Sequence, residues 1–202
     1  MPLRNRVDPF GHIHAVPEHG ELMGNRGCLH GDARNLLREH GSYKAWISCN
    51  LVRGDRRQTL MAPGLYTQLF FRDEATAMAA GHRPCFECRR THAKAFVAAW
   101  GDAHGVTDPR VPQVDAILHA ERLGPRPAYD GRKLPDGAMI GTADEERSWL
   151  AWRGTFRPWS FAGYGPAETP SGDLVLLTPP SMAATIEAGY KPAVHASVTA
   201  LP

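Results

Sequence analysis

Ala80-Gly81-His82-Arg83-Pro84-Cys85-Phe86-Glu87-Cys88-Arg89-Arg90 is the stretch on which the reading of this chain turns. Two thiols three positions apart can fold back on one metal ion, and Pro84 fixes the backbone entering that turn. Such a pair is half of a tetrahedral site, so it demands two more ligands from elsewhere. The chain has four cysteines in all, and the other two, Cys28 and Cys49, both lie upstream.

Working outward, Leu65 to Phe71 is aromatic and β-prone. Asp73 is placed to cap a helix over Glu74–Ala80 that stops at Gly81. After the cysteines, Arg89 to Trp100 reads as an amphipathic helix with Phe96, Val97 and Trp100 on its apolar face. Further upstream, Trp46 to Val52 reads as a strand, with a hairpin partner over Arg57–Met61. Asp32 is a candidate cap for a short helix to Glu39, and residues 8–31 read as an irregular arm. Gly101 to Pro112 has the composition of a linker. Beyond it come a helix over Val114–Leu123, strands at Ala138–Ile140, Trp149–Arg153, Phe156–Phe161 and Asp173–Leu177, and a last helix capped by Ser181 and ended by Gly189. The expected fold class is α+β: a small zinc-knuckle unit over residues 1–104, packed with a C-terminal unit over 113–202 made of a meandering antiparallel sheet and short helices.

With 202 residues the chain can bury a core as one domain or two small ones. Its 17 prolines and 20 glycines argue for loops and short elements, against a helical bundle. No apolar run approaches the ~20 residues that span a bilayer, so no membrane partner is expected. The N-terminus lacks the apolar core of a secretory signal, and a cytoplasmic location follows as the expectation. There, paired cysteines are more often metal ligands than disulfides. Net charge is only +2, so affinity for nucleic acid has to come from a local basic patch.

The run from Phe71-Arg72-Asp73-Glu74 through Arg83-Pro84-Cys85-Phe86-Glu87-Cys88 resembles the metal-binding domain of the Ada DNA-repair proteins. The resemblance covers residues 65–90. It implies one zinc held by four cysteines, contact with the DNA backbone, and a zinc thiolate able to accept a methyl group from an alkylated phosphate. The family's first cysteine pair is spaced four apart, about thirty residues upstream of the knuckle. Here Cys49 lies in that region, but the position four further on is Arg53. A fourth ligand must then come from farther away, and the Gly24-Asn25-Arg26-Gly27-Cys28-Leu29-His30 turn offers Cys28 or His30. The bland reading of Cys28 and Cys49 is as small buried apolar residues. A thiolate-rich site of this kind is structural rather than catalytic by its ligand chemistry.

Arg83, Arg89, Arg90 and Lys94 cluster around the knuckle and are the candidate nucleic-acid contacts, with Arg53, Arg56 and Arg57 extending the patch. A separate constellation is Asp115, His119 and Arg122, at i, i+4 and i+7 of the Val114–Leu123 helix. On one face, an acid, an imidazole and a guanidinium could orient water or phosphate for hydrolysis, with Asp136 nearby; intrahelical ion pairing is the competing account. Trp149, Trp152 and Trp159, interleaved with Arg153 and Arg157, would suit base stacking, though aromatics on a strand meander are usually core. The sequence therefore points to a zinc-stabilised DNA-binding protein with a role in repair or modified-base recognition. A hydrolase acting on nucleic acid or nucleotide is the second expectation.

Overall fold

The structure, a computed structural model, describes residues 2–52 and 59–200. The hairpin partner expected over Arg57–Met61 therefore lies partly outside the described residues, as do Arg53, Arg56 and Arg57.

The N-terminal half builds a mixed sheet of six short strands: β1 (Arg6–Val7), β2 (Ile13–His14), β3 (Leu22–Asn25), β4 (Ile47–Asn50), β5 (Leu69–Phe71) and β6 (Arg83–Pro84). Their order is β2-β1-β5-β3-β4-β6, with β1–β5 and β4–β6 parallel and the other pairings antiparallel. The segment 8–31 is thus no irregular arm, because β3 lies inside the sheet between β5 and β4. Its four residues Leu-Met-Gly-Asn carry no alternation that would announce a strand. Gly24 is required there by sterics, since a Cβ at that position would collide with the Phe71 ring of the neighbouring strand.

Between β5 and β6 runs α1 (Glu74–Ala79), every residue of which is buried. Asp73 caps it as expected, accepting from the Thr76 amide at 2.8 Å, a contact worth about 1 kcal/mol. The helix expected over Asp32–Glu39 is absent. The chain there folds back on itself, with a His30–Leu36 bridge and the Leu37 amide donating to the Leu29 carbonyl at 2.8 Å. An eight-residue helix is marginal without packing, whereas this turn seats Leu29 and Leu36 against Val7, Ile13 and Leu69.

Three helices form a second layer: α2 (Arg90–His104), α3 (Val111–Leu123) and α4 (Pro180–Glu187). Their shared core holds Phe96, Trp100, Val114, Leu118, Met182, Ile186 and Tyr190, together with Met78 from α1. The presumed linker is short, because α2 continues to His104 and ends at Gly105 in the left-handed region. Ser181 is not the cap of α4 but lies in its first turn, where its amide and hydroxyl both donate to Glu121 of α3.

The C-terminal sheet is an antiparallel meander in the order β10-β9-β8-β7-β11, from β7 (Met139–Thr142), β8 (Ser148–Trp152), β9 (Thr155–Ser160), β10 (Gly163–Tyr164) and β11 (Leu174–Leu176). A four-residue α5 (Ser197–Ala200) closes the described chain. The fold is α+β. The two halves of the sequence share cores: Ala75 and Ala79 of α1 pack with Met139, Leu150, Tyr164 and Leu177. Among the described residues, no helix is long and apolar enough to cross a membrane.

Candidate metal centre

Parallel pairing of β4 with β6 places Ile47 against Arg83 and Ser48 against Pro84. One step further along both strands, Cys49 is brought alongside Cys85, whose amide donates to the Ser48 carbonyl at 3.0 Å. The chain then turns tightly, the Arg89 amide closing on the Cys85 carbonyl at 3.0 Å, and this returns Cys88 to the same spot. The three sulfurs lie within 4.8 Å of one another. Asn50 secures the far side of the turn by donating to the Cys88 carbonyl at 2.9 Å.

The electrostatics suit a cation. The Glu87 amide points at the Cys85 sulfur at 3.4 Å, as a thiolate requires. A hydrogen bond from the Cys49 thiol pushes Cys85 down to about 5, and the same contact together with burial drives Cys49 up. Burial likewise raises Cys88. Three sulfurs this close cannot all become anions unless a positive charge sits among them. Soft, clustered thiolates are the donor set of zinc and related thiophilic ions, so the residues fit that group. Bound there, the ion would neutralise the trio and tie β4, the turn and the start of α2 together.

Cys28 and His30 do not join this group. Cys28 is exposed, its sulfur 3.6 Å from the His30 carbonyl. His30 is buried with both ring nitrogens engaged, Nδ1 with the Thr67 hydroxyl at 2.6 Å and Nε2 with the Ala62 carbonyl at 3.1 Å. The turn that carries them belongs to the opposite end of β3, next to β5 rather than β6. Among the described residues the cluster consists of Cys49, Cys85 and Cys88.

The expected basic face divides in two. Arg83 is buried and forked onto Asp115, with Nε and Nη2 at 2.7 and 2.8 Å from the two carboxylate oxygens. Arg89 is also buried, donating to the Ser48 hydroxyl at 2.9 Å and pairing with Glu74 at 2.9 Å. These two arginines are struts inside the protein and cannot meet a phosphate backbone. Arg90 and Lys94 are exposed on the first turns of α2.

The proposed hydrolytic face is dismantled by the same pairing. Asp115 is buried and both its oxygens accept from Arg83, which commits the carboxylate to an interior ion pair. Arg122 reaches His119 Nδ1 at 3.3 Å, but it turns mainly to the Gly81 carbonyl at 2.9 Å and to that of Lys44. Asp136 accepts from the Arg153 amide in the β8–β9 turn. The aromatics of the meander divide. Trp149 is fully buried and donates to Glu168. Trp152 and Trp159 are half-buried against the core, Trp159 donating to the Thr76 hydroxyl of α1 at 3.0 Å and Trp152 lying under the Arg153 guanidinium.

Sequence reasoning did not find Glu74, whose carboxylate collects Arg89, the Tyr190 hydroxyl at 2.6 Å and the Ala193 amide at 3.0 Å. It reads as an ordinary acidic first-turn residue, and only the folded chain shows that turn to be buried. No family model matches the chain, and neither curated proteins nor solved structures give a match.

Proposed function

We propose that this is a zinc-centred DNA-binding protein in which Cys49, Cys85 and Cys88 hold the ion and the first turns of α2 meet the phosphate backbone. The observation that carries the reading is the triangle of sulfurs set immediately before an exposed helix N-terminus. That terminus has no side-chain cap, and Arg90 and Lys94 stand exposed four residues apart on its first turns. The positive end of the helix dipole and two exposed cations at that spacing suit a phosphate group. The Ada-like run over residues 65–90 agrees with this and extends it to a role in DNA repair or modified-base recognition.

The test joins metal analysis to DNA binding. Purified protein should carry about one zinc per chain. Affinity for duplex and single-stranded DNA should fall with salt, and Arg90→Ala with Lys94→Ala should flatten the salt dependence by about two phosphate contacts. A wild-type protein with no salt-dependent affinity overturns the DNA reading and leaves the metal centre standing.

A further inference from the structure

Away from the cysteines, a cavity of about 270 Å³ lies between the N-terminal sheet, α3 and the start of α4. At ~30 Å³ per water it has room for about nine, or for a small organic molecule. Its walls combine Phe10 and Trp46 with three arginines, Arg26, Arg122 and Arg126, and two acids, Glu39 and Glu121.

The charges in this wall are unbalanced. Arg126 is answered by Glu145. Arg26 and Arg122 have no carboxylate partner among the described residues; every acceptor they use is neutral. Arg26 donates to the Gly11 and Glu39 carbonyls at 2.9 and 3.1 Å and to His82 Nε2 at 3.2 Å. The Glu39 carboxylate, in the same wall, is engaged by Arg4 at 2.8 Å and His12 at 3.2 Å. Arg122 donates to the Gly81 and Lys44 carbonyls; on its own helix Asp115 is held by Arg83, and the adjacent Glu121 carboxylate accepts from the Ser181 amide and hydroxyl. Each guanidinium carbon lies 4.2 Å from the Trp46 ring. Arg26 is only 2% exposed, and its Nη2 has no hydrogen-bond partner; Arg122 Nε is likewise unpartnered.

Buried cations without counter-charges are costly, and an idle donor on such a group adds to the cost. From this geometry we infer that the cavity is a binding site for a small organic oxyanion, a phosphate monoester or carboxylate, held by Arg26 and Arg122 with its body against Phe10 and Trp46. Guanidinium donors suit either anion, and the aromatic walls favour an organic body over a bare ion. Burial pushes Arg26 down to about 9 and Arg122 to about 10, the direction an incoming anion would reverse. The site is separate from the metal centre and needs neither zinc nor DNA.

The experiment is calorimetric titration of the full chain at low ionic strength with phenyl phosphate, benzoate, inorganic phosphate and neutral benzyl alcohol. Phenyl phosphate or benzoate should saturate with a Kd of about 1 mM or tighter, and whichever is stronger identifies the anion class. Benzyl alcohol should fail. Arg122→Lys keeps the charge but loses the fork, and should weaken binding about tenfold. A change in tryptophan fluorescence on binding, lost in Trp46→Phe, would place the ligand at the ring. Absence of saturable binding by both organic anions, or equal binding of benzyl alcohol, overturns the inference without recourse to any variant. Undiminished affinity in a folded Arg122→Lys protein also overturns it.

Discussion

Arg89, the residue directly after the second knuckle cysteine, pairs with Glu74 at the start of α1 at 2.9 Å, and both side chains are almost wholly buried. The pair fastens the cysteine turn to the helix that precedes it. Because Glu74 also accepts from Tyr190 and the Ala193 amide, it fastens that turn to the C-terminal half as well. Two buried charges gain little as a pair, but removing one strands the other. Arg89→Ala is therefore expected to cost about 3–5 kcal/mol in unfolding free energy. Denaturant unfolding of wild type and variant would check it, and a loss below about 1 kcal/mol would place Arg89 with ordinary surface arginines.

The same reasoning separates Arg83 from Arg90. Arg83→Ala leaves Asp115 buried without its fork and should destabilise the packing of α3 on β6. Arg90→Ala should leave unfolding within about 0.5 kcal/mol of wild type, because the residue is exposed at the start of α2. Unfolding curves for the two variants side by side test the division; equal costs would contradict it.

For the metal, Cys49→Ser, Cys85→Ser and Cys88→Ser should each lose bound zinc, whereas Cys28→Ser and His30→Ala should retain about one ion per chain. The structure puts the first three sulfurs within 4.8 Å and the other two side chains elsewhere. His30→Ala should still lose stability, since it leaves the Thr67 hydroxyl and Ala62 carbonyl without their partner. Elemental analysis of the five purified variants decides the ligand set, and metal loss in His30→Ala would restore the ligand role expected from the sequence.

What could be read in the sequence followed local rules. Asp73 as a cap, the helix after the knuckle and the strands β7, β8, β9 and β11 of the meander all announce themselves by capping or periodicity, whereas the two-residue edge strand β10 does not. The convergence of Cys49 on Cys85 depends on a parallel pairing of two-residue reach, β4 with β6, which no periodicity reveals. Arginine usage misled for a related reason: Arg83 and Arg89 have the composition of a phosphate patch, and only the approach of Asp115 and Glu74 from distant elements makes them interior. The strand β3 was hidden by brevity and by Gly24, whose missing side chain makes room for Phe71.

His82 offers a test of the buried arrangement through pH. Its ring packs between Phe71 and Trp46, at centroid distances of 4.6 and 5.1 Å, and Nε2 accepts from Arg26. Burial above all, and then the positive charges of Arg26 and Arg122, hold its pKa well below the usual imidazole value. The folded protein therefore keeps His82 neutral while the unfolded chain protonates it below about pH 6.5. Stability from this group is complete above that pH and is lost as the pH falls, by up to about 1.4 kcal/mol per unit. Cysteine protonation acts in the same direction, so the measurement is a difference. Between pH 7.5 and 5, unfolding free energy should fall less steeply in His82→Gln than in wild type, by about one proton. Glutamine can still accept from Arg26 but does not titrate. Identical slopes for the two proteins would show that His82 takes up its proton in the folded state, contrary to its packing between two rings and two cations.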